Sequence, residues 1–171
     1  DARMRTFVAV LAYSGLRISE AVGLRWQDWD GAGTMRVMRA KGGRPRAIPV
    51  PEKLQVELKA WRKAQRAEQV AAVWWDTEHD WILSTDVGTH WDTHNARKRF
   101  KLIADGHPAK GREGICPGAV PHSMRHATAT IPNSPAHARW WRKVRAALPS
   151  TAAALRVGPP PSSLHEVDDV G

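Results

Sequence analysis

Cysteine is nearly absent from this sequence: Cys116 is the only one among 171 residues. A lone cysteine cannot close an internal disulfide, which excludes a disulfide-stapled secreted scaffold, and it cannot build a multi-cysteine zinc module. No apolar run approaches the roughly 18 residues of a membrane span, and the start shows no signal-peptide pattern. These absences predict a cytoplasmic protein with no membrane partner.

Acidic residues are the minority charge, with 17 Asp and Glu against 26 Lys and Arg and a formal net charge of +9. A positive excess of this size points to a polyanionic partner, most often nucleic acid. Hydrophobic residues make up 42% of the chain, which excludes broad disorder. The length corresponds to about one domain.

Two helices are predicted at the start of the chain. Apolar residues recur at helical spacing over residues 3–13, so we expect an amphipathic helix there, with Gly15 as its C-terminal stop. Ser19 is the expected N-cap of a second, short helix that ends near Leu24.

A hairpin and a long helix follow. Residues 34–40 and 46–50 are strand-like, and two consecutive glycines in the turn between them suit a tight antiparallel hairpin. Pro51 opens a helical pattern that runs to about Ala72, with one apolar face formed by Leu54, Leu58 and Trp61.

The second half of the chain begins with a short apolar run at residues 81–83, which predicts a buried strand. Asp92 or Thr93 is expected to cap a basic helix over residues 95–104, and a polar loop then leads to a further helix over residues 121–130. The core is expected to contain four tryptophans: Trp26, Trp29, Trp61 and Trp81.

Three clusters of polar residues can build one phosphate-binding site. Arg17 directly follows a helix-terminating turn, so the backbone holds it while its planar guanidinium faces a phosphate. Lys41 lies at the hairpin tip, and His122 and Arg125 share one face at a helix start because they are three residues apart. Cationic and proton-carrying side chains that converge in this way would stabilise a phosphodiester transition state.

These clusters resemble the signature boxes of the tyrosine recombinase, or phage integrase, family. SGLRISEA at residues 14–21, followed by GLRW, is similar to the family's first arginine box. AKGGRPRAIPVP at residues 40–51 is similar to its lysine hairpin, and PHSMRHATAT at residues 121–130 to its His-x-x-Arg box. The resemblance extends from about Arg3 to Thr130, with the three boxes in the family's order.

The resemblance implies roles for four of these residues. Arg17 and Arg125 would bind the scissile phosphate. Lys41 would be the general acid for the leaving 5′-oxygen, and His122 would assist proton transfer. In this family a tyrosine attacks the phosphate to give a 3′-phosphotyrosyl link, with no cofactor and no metal ion. The implied partners are double-stranded DNA and full-length recombinase protomers.

The tyrosine itself is missing from its expected place. By the family's spacing, a further His or Trp falls near Leu148 and the tyrosine near Val157, and neither neighbourhood supplies the residue. The only tyrosine is Tyr13, in the first predicted helix, where we expect a structural role. The sequence therefore predicts an integrase remnant that has lost cleavage.

The predicted organisation has two parts. Residues 1–130 are expected to form the integrase-like catalytic domain, without the family's N-terminal DNA-clamping domain. The abrupt start at Asp1 is expected to reflect either a cut inside a longer protein or a defective reading frame. Residues 131–171 are expected to form a poorly ordered, Pro/Ala-rich tail of non-homologous sequence, as a frameshift would produce. The expected fold class is α+β, mainly α, with a small antiparallel sheet near residues 34–50.

Other polar residues are assigned more simply. Contact with the DNA backbone is expected for Arg44, Arg46, Arg97, Lys98, Arg99 and Lys101, with a plain solvated face as the alternative for the last four. Glu20 is expected to pair with a nearby arginine and orient it. His90 and His94 have helical metal-ligand spacing, but they lack a third ligand, so no metal site is predicted.

The expected function is site-specific DNA recombination or integration. Two alternatives stay open: a non-enzymatic DNA-binding module that competes with a full-length relative, and a basic RNA-associated protein whose resemblance to the boxes is accidental.

Overall fold

The computed structural model of the chain describes residues 2–38, 44–107, 112–114, 117–119, 139, 142–144, 146 and 148. The elements, in chain order, are α1 (Ala2–Ser14), α2 (Ile18–Val22), a 3-10 helix (Trp26–Asp28), β1 (Thr34–Val37), β2 (Arg46–Pro49), α3 (Glu52–Ala71), α4 (Thr93–Asp105), β3 (Gly106–His107) and β4 (Arg112–Glu113). The predicted fold class, mainly α with a small antiparallel sheet, is confirmed. The helix predicted over residues 121–130 lies outside the described residues.

Helix α1 is the centre of the fold. Every residue from Thr6 to Tyr13 is buried, and α2, α3 and α4 all contact this helix. The prediction of an amphipathic helix is therefore wrong, because a helix that is covered on all sides needs apolar or small residues all round. Gly15 ends α1 as predicted, with a φ of 64° that the missing Cβ permits.

Two arginines of α1 bind the acidic flank of α3. Arg5 donates two hydrogen bonds to Glu57, at 2.6 and 2.7 Å. Arg3 donates to Glu68 at 2.6 Å, and its guanidinium carbon lies 5.4 Å from the centre of the Trp61 ring. The carboxylates of Glu57 and Glu68 are thus each paired with an arginine of α1.

The predicted hairpin and long helix are both present. β1 and β2 pair antiparallel, with Met35 opposite Ile48, within the two runs that were predicted to be strands. α3 begins directly after Pro51. Its predicted apolar face is buried, at 2% exposure or less for Leu54, Leu58 and Trp61.

Residues 81–84 are buried, but they do not form the predicted strand. They make only isolated bridges, between Arg25 and Trp81 and between Ser84 and His90. Single hydrogen bonds replace the missing ladder: the Ile82 amide donates to the Leu24 carbonyl at 2.9 Å, and Trp61 Nε1 donates to the carbonyl of Ile82 at 2.6 Å. The four tryptophans assigned to the core are all buried, as predicted: Trp26, Trp29, Trp61 and Trp81.

The end of the described chain adds to the same core. Gly106 follows α4 with a φ of 79°, and β3 and β4 pair within the stretch that was expected to be a plain loop. Val144 and Leu148, from the predicted tail, are buried in the core. No helix in the described ranges combines the length and the apolar character that crossing a bilayer requires.

Candidate functional site

Arg17 lies in the turn between α1 and α2, and its backbone is held by α2. It is the N-cap residue, and its carbonyl accepts hydrogen bonds from the amides of Glu20 and Ala21 at 3.0 and 2.8 Å. The N-cap prediction for Ser19 is wrong, since Ser19 lies inside the helix and is exposed. The Arg17 side chain is 39% exposed, so its guanidinium can reach a ligand from a fixed backbone.

A buried carboxylate, that of Glu20, connects Arg17 to the hairpin. The Glu20 side chain is 2% exposed, and its two oxygens accept hydrogen bonds from Nη1 and Nη2 of Arg46 at 3.0 Å each. Glu20 Oε2 also accepts from the Arg17 amide at 2.9 Å, and Arg17 Nη1 lies 3.5 Å from Oε1. The predicted pairing of Glu20 with an arginine is confirmed, and Arg46 is the principal partner.

The charges of this cluster of Arg17, Glu20 and Arg46 are strongly coupled. Burial alone would raise the pKa of Glu20, but hydrogen bonds from Arg46 and the Arg17 amide, with the charges of both arginines, lower it to about 2. The hydrogen bond to Glu20 raises the pKa of Arg46. Two guanidiniums against one ionised carboxylate leave the cluster with a net positive charge, which suits an anionic ligand.

The other predicted catalytic residues, Lys41, His122 and Arg125, lie outside the described residues. Their convergence on Arg17 therefore stays a prediction. Arg44 is exposed, just before β2. Arg46 is 37% exposed although both terminal nitrogens bind Glu20, so its predicted contact with DNA also stays a prediction.

Helix α4 presents the predicted basic surface. Its buried side consists of Ala96, Phe100 and Ala104, and Phe100 meets Phe7 of α1 edge-on at 6.4 Å. The four basic side chains are all exposed: Arg97, Lys98, Arg99 and Lys101. Helix α4 also contacts α2, the helix for which Arg17 is the N-cap residue.

Two of the four basic residues of α4 already have partners. Lys101 pairs with Asp105 at 2.6 Å, and this bond, with one from the Gly118 amide, lowers the pKa of Asp105. The guanidinium carbon of Arg99 lies 5.5 Å from the centre of the Trp91 ring. No described residue forms an ion pair with Arg97 or Lys98, which leaves these two cations available for phosphates.

We expect the N-cap of α4 to contribute about 1 kcal/mol to the free energy of unfolding. Asp92 accepts a hydrogen bond from the Asn95 amide at 2.9 Å, as one of the two predicted caps would. Asp92→Ala removes this acceptor, whereas Asp92→Asn keeps one. Urea unfolding followed by tryptophan fluorescence should show the loss for alanine and little change for asparagine; equal losses would contradict the cap.

The remaining candidates do not form a reactive centre. Tyr13 is 7% exposed within α1, which agrees with its predicted structural role. The ring of His90 packs edge-on against Trp81, with centroids 4.8 Å apart. Three other residues, Asp76, Glu78 and His79, have potential metal-ligand atoms within 4.8 Å of one another. Exposed acidic groups of this kind are common without a metal, so the cluster alone does not indicate a metal site.

Known proteins match most of the chain. A sequence model described as the phage integrase family matches residues 1–133. The tyrosine recombinase XerC of Proteus mirabilis is 30% identical over 132 residues, which cover 75% of this chain and 38% of XerC. The tyrosine recombinase XerD of Mycobacterium tuberculosis is 31% identical over 134 residues, with the same coverage of 75% and 38%.

Solved structures agree on the fold. The crystal structure of XerA recombinase superposes with a TM-score of 0.61 at 21% identity, covering 97% of this chain and 57% of that one. The XerH recombinase bound to its difH substrate gives 0.55 at 20% identity, covering 90% and 45%. The chain thus spans well under two thirds of the proteins that it matches, and its helical core has their fold.

Proposed function

We propose, from the fact that this chain belongs to the phage integrase family of tyrosine recombinases, that it binds double-stranded DNA and acts in site-specific recombination. The family match covers residues 1–133. The XerH structure that shares this fold is described as bound to a DNA substrate. The observation that carries the proposal is the Arg17 guanidinium, which is 39% exposed in a cluster of net positive charge.

The chemistry proposed for the site is stabilisation of a phosphodiester. The fork of Arg17 can donate two hydrogen bonds to the non-bridging oxygens of one phosphate. Glu20 and the α2 backbone fix the position from which it does so. Lys41, His122 and Arg125 are proposed to complete the phosphate site, as the family boxes imply, with Arg97 and Lys98 on the adjoining DNA backbone.

We further propose that this chain binds DNA without cleaving it. Cleavage in the family requires a tyrosine oxygen to attack the phosphorus and release the 5′-oxygen, and residues 126–171 contain no tyrosine. Tyr13 is buried in the central helix. A full-length recombinase protomer would have to supply the nucleophile, so the chain would act as a non-cleaving member of an assembly or as a competitor.

A nicked suicide substrate tests this part directly. The chain alone should shift duplex DNA in a gel and leave no adduct that survives denaturation. A covalent protein–DNA band formed by the purified chain would contradict the loss of cleavage, while leaving the DNA-binding proposal intact.

The role of α4 is tested by Arg97→Gln combined with Lys98→Gln. Loss of two phosphate contacts should weaken duplex binding about 10-fold near 0.1 M salt and reduce the slope of log K against log salt by about 2. Lys59→Gln with Lys63→Gln removes the same charge from the exposed side of α3, and should change both quantities little.

Fluorescence anisotropy with a labelled duplex measures both pairs of variants. Equal weakening by the α3 pair would mean that net charge alone is responsible, and would reject a specific role for α4. Tighter binding of RNA than of DNA, unchanged by Arg17→Ala, would favour the RNA-associated alternative instead.

A further inference from the structure

A polar cavity of about 230 Å³ lies between the second half of α3 and the segment that follows it. It shares no residue with the cluster around Arg17 or with α4. Six of the residues that line it are aromatic or charged: Trp26, Arg62, Arg66, Trp75, Asp76 and Asp80. They bring together flat rings, guanidiniums and carboxylates, a combination that no requirement of the core explains.

The guanidiniums of this cavity are available to an anion. Arg62 and Arg66 are one helical turn apart on α3, on the side away from the carboxylates that bind α1. The guanidinium carbon of Arg62 lies 4.8 Å from the centre of the Trp26 ring, which holds it in place without neutralising it. Within the described ranges neither arginine has an ion-pair partner.

The indole of Trp75 is held in a fixed position on the other side. Gly88 has a φ of 82°, and a Cβ there would lie 2.5 Å from Trp75 Nε1, so the ring packs directly on bare backbone. The Asp76 amide also donates to the Val87 carbonyl at 2.9 Å, which ties the two loops together. A half-buried ring held in this way can act as a stacking surface.

Asp80 supplies a carboxylate on a stretch of backbone that is held in place. It adopts a φ of 40°, in the left-handed region, and its carbonyl accepts a hydrogen bond from the Trp26 amide at 3.0 Å. No described residue donates a hydrogen bond to its carboxylate. Two guanidiniums face two carboxylates in this lining, those of Asp76 and Asp80, so the cavity carries no net charge and favours a ligand that has hydrogen-bond donors beside its phosphate over a simple anion.

We propose that this cavity binds one unpaired nucleotide of a single-stranded nucleic acid. The phosphate meets Arg62 and Arg66, the base stacks on Trp75, and the exocyclic amine of the base donates to Asp80. The volume, just below the range of sites for drug-sized ligands, suits one nucleotide and not a longer segment. A paired duplex cannot fill the cavity, because its bases are stacked on one another and present no free face to Trp75.

This site is independent of the proposed recombination function, and it predicts a base preference. Cytosine has an exocyclic amine that can donate a hydrogen bond to a carboxylate, whereas thymine has a carbonyl at the same position and cannot donate. Labelled oligo-dC should therefore bind several-fold more tightly than oligo-dT of the same length. Asp80→Asn tolerates the same backbone conformation and should remove most of this preference.

The central experiment compares two pairs of substitutions in the full chain, with labelled oligo-dC and a labelled duplex as probes. Arg62→Gln with Arg66→Gln should weaken oligo-dC binding about 10-fold and leave duplex binding nearly unchanged. Lys59→Gln with Lys63→Gln, on the same helix, is the matched control and should affect neither probe. Trp75→Leu should also weaken oligo-dC binding, through loss of the stacking surface.

Competition with small molecules separates a nucleotide site from an anion site. Deoxycytidine monophosphate should displace labelled oligo-dC at concentrations where inorganic phosphate does not. Equal competition by phosphate would overturn the proposal in favour of a simple anion site. Equal loss of oligo-dC binding in the two pairs of variants would overturn it in favour of net charge.

Discussion

Gln65→Leu is expected to lower the free energy of unfolding by about 3–4 kcal/mol, although it replaces a polar residue by an apolar one in the core. Gln65 is 6% exposed and is the centre of a hydrogen-bond network. Its Oε1 accepts from Trp26 Nε1 at 2.6 Å, and its Nε2 donates to the Trp81 carbonyl and to Ser84 Oγ at 2.9 and 2.8 Å.

The substitution leaves these three buried groups without their partner. Each such group costs about 1–3 kcal/mol, and a leucine of similar size recovers only a part of the loss through burial. Gln65 also lines the cavity beside α3, so water can reach some of the stranded groups and keep the total below three full penalties. The loss of stability therefore comes from the three groups that lose their hydrogen bonds and not from the removal of the glutamine side chain itself.

Urea unfolding followed by tryptophan fluorescence measures the change. The matched control is Gln69→Leu, one turn along α3 at an exposed position, where the expected change is within about 0.5 kcal/mol. A loss for Gln65→Leu no larger than for the control would show that the network does not contribute to stability.

The sequence could not reveal this network. Apolar spacing correctly identified the face of α3 up to Trp61, and the next position on that face is Gln65, which the pattern reads as the end of the buried stripe. Its role depends on the carbonyl and hydroxyl of residues 81 and 84, which approach only in the folded chain. Periodicity identifies which side of a helix is buried, but not which polar groups lie in the segment that packs against it.

The central position of α1 is likewise a property of the tertiary structure. The length and end of α1 follow from local signals, namely helical spacing and Gly15, and both are confirmed. Its amphipathic character was wrong because three other helices surround it, and contacts between distant segments decide how many faces are covered. The hairpin was predictable because turn and strands are adjacent in sequence.

The candidate site shows the same division. The signature boxes around Arg17 and Arg46 are local patterns, so both segments were identified as functional from the sequence. The bidentate bond between Glu20 and Arg46 spans 26 positions, and no spacing rule predicts it. Arg46 was assigned to DNA contact by its place in a basic stretch, whereas the structure shows that its terminal nitrogens are held by a buried carboxylate.

Glu20→Gln is expected to cost about 2 kcal/mol at neutral pH. The glutamine side chain has the same shape, but its NH₂ group replaces one of the two carboxylate oxygens. This NH₂ group would face Arg46 or the Arg17 backbone amide, and both of these are hydrogen-bond donors. A fall in pKa from 4.5 to about 2 corresponds to about 3 kcal/mol. The arginine side chains are more than one third exposed, and screening by solvent reduces this figure to about 2 kcal/mol.

The effect of Glu20→Gln should depend on pH in a defined direction. The pKa of Glu20 is lower in the folded chain than in the unfolded chain, so its contribution is complete above about pH 5 and is lost as the pH falls toward 2. The stability difference between the natural chain and Glu20→Gln should therefore be largest at neutral pH and shrink steadily below pH 5. Glu113→Gln, at an exposed carboxylate, should track the natural chain throughout.

Urea midpoints measured at intervals from pH 7 to pH 3 decide the matter. A difference that stays constant over this range would mean that the charge of Glu20 is not what stabilises the cluster. A difference that shrinks, together with weaker duplex binding by Glu20→Gln at neutral pH, would show that the ionised carboxylate holds the segment from which Arg17 reaches a phosphate. The position of the Arg17 backbone would then depend on the negative charge of Glu20, which Arg46 of the hairpin balances.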